Sequence, residues 1–199
     1  MSKELLAQRS LPPILIHEDG STVTYAYDND GALATVSDSA SGRKITYYYD
    51  FTDRMMKYVE SASGYSHSVG YAYDSLNNLT RLVETVDGVE RTTDYTYDDD
   101  NRVESVSTDG VSHHYTYDSF GRVSEQTTKH NGTDVLTKTL TFQSPGAGKT
   151  SGQVATYTID AGNYDVTYTY TYDGNGNITS IFDGTYMTSY EYDSANQLI

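Results

Sequence analysis

The residues whose types could do chemistry in this chain form short segments, and none of these completes a known site. Residues 146–150, Gly-Ala-Gly-Lys-Thr, imitate the end of a phosphate-binding loop, but Gln143 stands where that loop requires its first glycine. The surrounding pattern is strand, loop, strand, whereas a phosphate cradle needs a helix N-terminus behind it. Residues 173–184 open like a calcium loop, yet Ile178 and Gly184 replace the required Gly and Glu. We therefore predict no nucleotide site, no metal site and no cofactor.

Catalytic groups do not converge in the sequence either. The histidines are scattered, and the adjacent His113 and His114 would point to opposite faces of a strand. Serines and aspartates are plentiful because turns need them, so a nucleophile triad cannot be picked out by spacing. We expect a protein that is not an enzyme and has no catalytic residue.

Composition excludes several kinds of partner. The formal net charge is −15 and no basic stripe occurs, so nucleic acid is not an expected partner. There is no cysteine for a disulfide or a thiolate metal site. No apolar run approaches a membrane span, and residues 1–11 lack the apolar core of a signal peptide. The 21 tyrosines outnumber every other aromatic residue, so tyrosine must supply much of the buried surface.

The most informative feature is a phrase, Tyr-x-Tyr-Asp, that occurs seven times. Its members are Tyr25, Tyr27, Asp28; Tyr47, Tyr49, Asp50; Tyr71, Tyr73, Asp74; Tyr95, Tyr97, Asp98; Tyr115, Tyr117, Asp118; Tyr170, Tyr172, Asp173; and Tyr190, Tyr192, Asp193. Three residues after each Asp stands a residue that tolerates positive φ, namely Gly31, Asp53, Asn77, Asn101, Gly121, Gly176 or Asn196. Tyrosines two apart share one face of a strand, and Asp followed by an αL residue is typical of a turn. Each phrase therefore predicts one β-hairpin tip, with its aspartate as a turn former that faces solvent.

A second set of turn signals alternates with the first. It consists of Gly20, Gly42, Gly64, Gly88, Gly110, Gly132, Gly162 and Gly184. Five of the eight belong to Asp-Gly or Asn-Gly pairs, which are strong hairpin signals. The intervals are 22, 22, 24, 22, 22, 30 and 22 residues, so we count eight units. In the sixth unit the phrase is reduced to Leu-Thr-Phe-Gln at 140–143, and the turn swells over 144–152.

The strand after each Asp turn carries apolar residues at an odd spacing. Five and eight residues after the Asp stand the pairs Leu33/Val36, Met55/Tyr58, Leu79/Leu82, Val103/Val106 and Ile178/Ile181, with Val123/Gln126 as the exception. Residues three apart face opposite sides of a regular strand. Either a bulge brings both to one face, or the sheet is covered on both sides. We favour the bulge because the chain has too few aliphatic residues for two buried faces.

Over residues 19–199 these motifs resemble the YD repeat of Rhs proteins, of toxin-complex shell subunits and of teneurin ectodomains. The resemblance implies an all-β fold in which consecutive antiparallel β-hairpins form a strongly twisted, curved or spiralling sheet, part of a YD-repeat shell. It implies a structural role in a wall that encloses or presents a toxin or effector domain, with tyrosine ladders stacking between neighbouring hairpins. It also implies a secreted or cell-surface location. The alternative is a carbohydrate-binding or adhesion surface built from the Tyr and Asp ladders.

The expected organisation is a tail or capping strand over 1–16 and an array of about eight hairpins over 17–199, the last truncated at Gln197-Leu198-Ile199. About 16 strands at ~4.8 Å roll into a tube only about 25 Å wide, too narrow for a cargo whose radius of gyration is ~13 Å. We therefore expect the remainder of a larger YD-repeat polypeptide, or its toxin cargo, as partner. Unpaired sheet edges predict self-association. The sequence leaves open the identity of the cargo and the role of the 144–152 loop.

Overall fold

The computed structural model describes residues 14–144 and 152–199, and these residues form β-strands, turns and no helix. The chain divides into two compact units, residues 1–94 and residues 95–199. Each unit is a single layer of antiparallel strands that pair with their neighbours in chain order. The predicted all-β architecture of consecutive antiparallel hairpins is therefore confirmed.

The first unit holds β1 to β7 and most of β8. The strands are β1 (Ile14–Ile16), β2 (Thr22–Tyr27), β3 (Leu33–Asp38), β4 (Lys44–Tyr49), β5 (Met55–Ala62), β6 (Tyr65–Tyr73), β7 (Leu79–Val86) and β8 (Val89–Tyr97). Every neighbouring pair from β1–β2 to β7–β8 is antiparallel. Strand β1, which lies within the predicted tail (1–16), pairs with β2 of the predicted array (17–199). Since residues 1–13 lie outside the described part, the boundary between tail and array stays a prediction.

The second unit holds the end of β8 and all the later strands. These are β9 (Val103–Thr108), β10 (Val111–Tyr117), β11 (Val123–His130), β12 (Thr133–Phe142), β13 (Val154–Asp160), β14 (Asp165–Tyr172), β15 (Ile178–Phe182) and β16 (Met187–Ser189). From β9 to β16 each strand pairs antiparallel with the next. The degenerate sixth repeat keeps its hairpin, since β12 and β13 pair across the swollen turn.

Backbone conformation agrees with both sets of turn signals. All seven residues predicted to have positive φ after the Asp turns have it, from Asp53 at 62° to Gly176 at 92°. Three Asx-Gly pairs, at Asp87, Asp109 and Asn131 with their following glycines, have positive φ at both residues and form two-residue hairpin loops. Positive φ at both central residues is the requirement of the type I′ turn, whose twist matches that of the flanking strands.

Bulges account for the odd apolar spacing. Tyr25 lies opposite Val36 and Tyr27 lies opposite Leu33, so two residues of β2 span three residues of β3 and Ala34 is the extra one. The same shift recurs in the pairs β4–β5, β6–β7, β10–β11, β12–β13 and β14–β15. Leu33 and Val36 therefore share a face, and the predicted bulge is confirmed in these six hairpins.

The bulges leave each unit with one tyrosine-rich face and one polar face. On the first, Tyr25, Val36 and Ile45 lie in one cross-strand row, whereas the neighbouring row on the other face runs through Thr35 and Thr46. We call the side that bears the tyrosines of the repeated phrase the tyrosine face. Thirteen of its fourteen phrase tyrosines are half-buried, and Tyr27 is exposed. Val69, 6% exposed, is the single buried hydrophobic residue in the described part of the chain, and no side chain there is fully buried. Among the described residues no second layer packs against this face, so its apolar side chains stay partly exposed to solvent.

Candidate functional site: the rungs of the tyrosine face

The smallest repeated unit of the site is the turn closed by each phrase aspartate. In all seven turns the Asp Oδ1 accepts hydrogen bonds from the backbone N–H groups two and four residues later, at 2.8–3.1 Å. The Asp N–H in turn donates to the carbonyl four residues later, as from Asp50 to Arg54 at 2.9 Å. The carboxylate thus organises the turn, as Asx turns do.

The residue four after the Asp completes the turn with a side chain. Arg54, Arg102 and Arg122 donate through Nε to the second carboxylate oxygen of their own turn at 2.7 Å. In two other turns an asparagine Nδ2 makes the same contact at 2.9 Å, from Asn78 and Asn177. This position was not predicted from the sequence. The recurring spacing Asp-x-x-x-Arg or Asp-x-x-x-Asn was the signal that could have found it.

These contacts set the acidity of the aspartates. The hydrogen bond from Arg102 is the main cause that lowers the pKa of Asp98, and Arg122 does the same for Asp118. At Asp50, burial raises the pKa, but hydrogen bonds from Thr52 and Arg54 outweigh it and hold the pKa well below its usual range. The phrase aspartates form the turns as expected; Asp28 is exposed and the other six are half-buried, so they are only partly open to solvent. The Asp50 side chain, for example, is only 11% exposed because Arg54 covers it.

A second contact joins four of the repeats to the repeat before them. The hydroxyl of the second phrase tyrosine donates to the backbone carbonyl of the first apolar residue after the preceding turn. The bonds run from Tyr49 to Leu33 (3.0 Å), Tyr73 to Met55 (3.0 Å), Tyr117 to Val103 (2.7 Å) and Tyr172 to Val154 (2.8 Å). In the hairpins β2–β3, β4–β5 and β12–β13, the acceptor carbonyl belongs to the residue beside the bulge, where the backbone hydrogen-bond ladder is locally disrupted. The hydroxyl therefore satisfies a carbonyl at the place where the sheet pairing is weakest.

We define a rung as one Asp turn, the residue four positions after its Asp, and the second tyrosine of the next phrase. In two rungs an arginine contacts that tyrosine. The Arg54 guanidinium lies 4.8 Å from the centre of the Tyr73 ring, and that of Arg102 lies 4.5 Å from Tyr117. A cation over an aromatic face is attracted by the ring quadrupole. Rungs thus alternate carboxylate, guanidinium and ring. Two pairs of tyrosine rings, Tyr47–Tyr58 and Tyr157–Tyr168, each include a tyrosine outside the phrase. The expected ladder of stacked phrase tyrosines stays a prediction.

The sixth repeat keeps the rung geometry with neutral residues. Gln143 occupies the Asp position and Gln153 the fourth position, since the Gln143 N–H donates to the Gln153 carbonyl at 2.8 Å. Phe142 replaces the second tyrosine and packs under Arg122, whose Cζ lies 3.8 Å from the ring centre. The rung of the Gln143 turn therefore lacks the ion pair but keeps the hydroxyl bond from Tyr172 to Val154. The rung before it keeps the ion pair between Arg122 and Asp118, but Phe142 has no hydroxyl to bond the preceding repeat. The predicted swollen turn lies mostly at residues 145–151, outside the described residues.

Two depressions lie on the tyrosine face. In the second unit, one of about 280 Å³ is lined by Leu140, Val154, Tyr157, Tyr170, Tyr172 and Ile178. In the first unit, one of about 200 Å³ is lined by Arg43, Ile45, Tyr47, Tyr58 and Glu60. The Arg43 Nε donates to the Glu60 Oε1 at 2.6 Å, and this bond is the main cause that lowers the pKa of Glu60. The depression of the second unit is thus almost wholly apolar, and that of the first unit combines aromatic rings with an ion pair.

The remaining segments with chemically suggestive residues have structural partners or lie outside the described part of the chain. Residues 146–150, the phosphate-loop imitation, are among the undescribed residues. The Asp173 carboxylate bonds Asn175 and Asn177 of its own turn. His113 contacts the Thr128 hydroxyl and His114 that of Ser112. Within residues 14–144 and 152–199, no three His, Asp or Glu side chains are grouped so as to hold a metal ion.

Comparison with solved structures identifies the fold. The crystal structure of TcdB2-TccC3-Cdc42 matches with a TM-score of 0.58 and 21% sequence identity over 92% of this chain. The chain resembles the YD-repeat shell proteins in structure as well as in sequence. A second crystal structure, of TcdB2-TccC3-TEV, gives a TM-score of 0.57 at 21% identity, also over 92% of this chain. The match spans only 10% of each of those chains. No protein-family model and no curated protein matches the sequence.

The residues that the structure describes contain no helix long and apolar enough to cross a membrane.

Proposed function

We propose that this chain is a non-catalytic wall segment of a YD-repeat shell that encloses or presents a toxin or effector domain. The observation that carries the proposal is the partial exposure of the apolar side chains on the tyrosine face. Among the described residues, phrase tyrosines, valines and leucines lie on one side of a single layer, and Val69 is the only hydrophobic residue that is buried. An apolar face of this kind gains its stabilisation when something covers it. In a shell, that cover is the enclosed space and its contents.

The rungs suit a wall because they stiffen it along the direction in which repeats are added. Each hydroxyl bond from one repeat to the carbonyl of the preceding repeat, as from Tyr117 to Val103, depends only on its nearest neighbour. Nearest-neighbour coupling lets a repeat array grow to any length without a new core. The fold shared with the toxin-complex structures supports the same role. The proposal includes a larger secreted or surface-exposed YD-repeat polypeptide, with the rest of that polypeptide or its cargo as partner.

The test uses that larger polypeptide. Electron cryo-microscopy should show a hollow particle with this segment in its wall, and the cargo should resist added protease. Val36→Asp, which places a charge on the tyrosine face, should make the cargo protease-sensitive. Thr35→Asp, on the other face, should leave it protected. A particle without an enclosed space, or equal protease sensitivity of the two variants, would refute the proposal.

The carbohydrate alternative loses most of its basis in this geometry. The carboxylates of the Asp ladder are occupied by their own turns, and four hydroxyls of the Tyr ladder by backbone carbonyls. The depression between Tyr47 and Tyr58 keeps the rings and charged groups that sugars need. Titration of the chain with oligosaccharides, followed by NMR at the Tyr58 ring, tests this second candidate. Self-association through sheet edges remains a separate proposal, motivated by the exposed edge residues Ile16 and Met187, and light scattering measures it.

A further inference from the structure

The chain has an unusual inventory of oxidisable side chains. It contains 21 tyrosines, no cysteine and no tryptophan. Thiolates, where present, are the first groups to be oxidised, and they end as disulfides or sulfur oxyacids. Without thiols or indoles, the tyrosine phenols are the side chains of this chain that lose one electron most readily, ahead of its four methionines and five histidines. The product is a neutral phenoxyl radical, whose fate depends on what lies beside the ring.

One pair of tyrosines is placed for the two rings to react with each other. Tyr157 of β13 and Tyr168 of β14 are directly paired across the strands. Their ring centroids are 6.4 Å apart and their planes differ by only 22°, an offset stack. Directly opposite residues have Cβ atoms about 4.5–5.5 Å apart, so small rotations about the side-chain bonds bring the ring edges together.

The surroundings leave the Tyr157 ring room to move, while the Tyr168 hydroxyl is hydrogen-bonded to Tyr164. Tyr157 lines the apolar depression of about 280 Å³, beside Leu140 and Tyr170. The corresponding pair in the first unit is held differently. Tyr47 and Tyr58 are tilted by 47°, and the Tyr58 ring is also fixed edge-on against His67 at 5.5 Å. The near-parallel rings of the second unit therefore form the better-placed pair.

We propose that Tyr157 and Tyr168 are an oxidative cross-linking site, at which a one-electron oxidant forms an intramolecular dityrosine bond between β13 and β14. Each phenol gives up one electron and its hydroxyl proton. One new carbon–carbon bond then joins the ring carbons ortho to the two oxygens. The hydrogen on each joined carbon moves to its own oxygen, and both rings become aromatic again. Two equivalents of the oxidant take up the two electrons, and water takes up the two protons.

The cross-link would act as a covalent staple of the β13–β14 hairpin. It closes a short loop in the unfolded chain and so lowers the conformational entropy of that state, as a disulfide does. The oxidised monomer is therefore expected to unfold at a higher urea concentration than the untreated chain. A wall that lacks disulfides would gain a covalent lock at this hairpin.

The experiment oxidises the full chain with photogenerated tris-bipyridyl ruthenium(III), with persulfate as the terminal electron acceptor. The monomer is isolated and digested with a protease that cleaves before aspartate. Cleavage before Asp160 and Asp165 separates the peptide of residues 134–159, in which Tyr157 is the one tyrosine, from that of residues 165–172. We expect these two peptides joined with the loss of two hydrogen atoms, and fragmentation should place the bond at Tyr168.

Variants and an unfolded control decide the outcome. Tyr157→Phe and Tyr168→Phe should each abolish the joined peptides, while Tyr186→Phe, which changes a ring that is 75% exposed, should leave their yield unchanged. Circular dichroism checks that every variant keeps its strands. In urea the yield from the wild-type chain should fall severalfold, because the register that pairs the rings is lost. Joined peptides in undiminished yield in urea, or a dominant link through Tyr164 or between chains, would overturn the proposal.

Discussion

The hydroxyl that links one repeat to the next gives a prediction whose size follows from the structure. Tyr172→Phe removes the 2.8 Å bond to the Val154 carbonyl and leaves the ring in place. A neutral hydrogen bond contributes about 0.5–1.5 kcal/mol, and more is lost when the remaining partner stays unsatisfied. Because Val154 is only half-buried, we expect water to replace part of the bond and the free energy of unfolding to fall by about 1 kcal/mol. For a chain of this size that corresponds to a fall of about 2–4 °C in Tm.

The matched control is Tyr170→Phe in the same strand. Tyr170 lies on the same face and lines the same depression, and no hydrogen bond of its hydroxyl is found among the described residues. Urea unfolding followed by circular dichroism, with a common m value, should show a stability loss for Tyr172→Phe and a change near zero for Tyr170→Phe. Equal losses for the two variants would mean that the hydroxyl bond contributes nothing and that ring packing alone connects the repeats.

Three further perturbations test the bulge, the Asp turn and the half-buried Tyr58. Val36→Asp should lower the free energy of unfolding by about 2 kcal/mol or more, whereas Thr35→Asp, one residue away on the polar face, should be near neutral; similar urea midpoints for both would contradict the bulge. Arg102 lowers the folded-state pKa of Asp98, so the ionised Asp98 carboxylate stabilises the fold above its unfolded pKa of about 4, and this stabilisation is lost as pH falls through the folded pKa. The difference in urea midpoint between the wild-type chain and Asp98→Asn should therefore narrow below about pH 4. Burial is the main cause that raises the pKa of Tyr58, so the neutral Tyr58 phenol stabilises the fold below its unfolded pKa of about 10, and this stabilisation is lost as pH rises through the folded pKa. Tyrosinate absorbance and loss of circular dichroism should then appear together. A tyrosinate titration that is complete before any unfolding would argue against this coupling.

The sequence by itself determined the elements of this protein. Turn chemistry is local, since an Asp and an αL residue three positions later fix a tip whatever lies around them. For this reason the sequence alone predicts positive φ at Asp53 and Asn101, and both residues have it. The bulge was also predictable, because Leu33 and Val36 can share a face only if one residue is extra.

Tertiary structure decided what the elements do to one another. The bond from Tyr117 to Val103 joins residues 14 apart, and its length and direction depend on the strand register rather than on either residue alone. The ion pair between Arg102 and Asp98 is local to one turn, but the Tyr117 ring reaches the Arg102 guanidinium only after β10 has paired with β9, so that contact could not be predicted from the sequence. Turn formation needs a few neighbouring residues, whereas the rungs and the half-covered tyrosine face need several strands in place. The physical reason is that backbone preferences are local, while hydrogen bonds and ring contacts between repeats exist only in the assembled sheet.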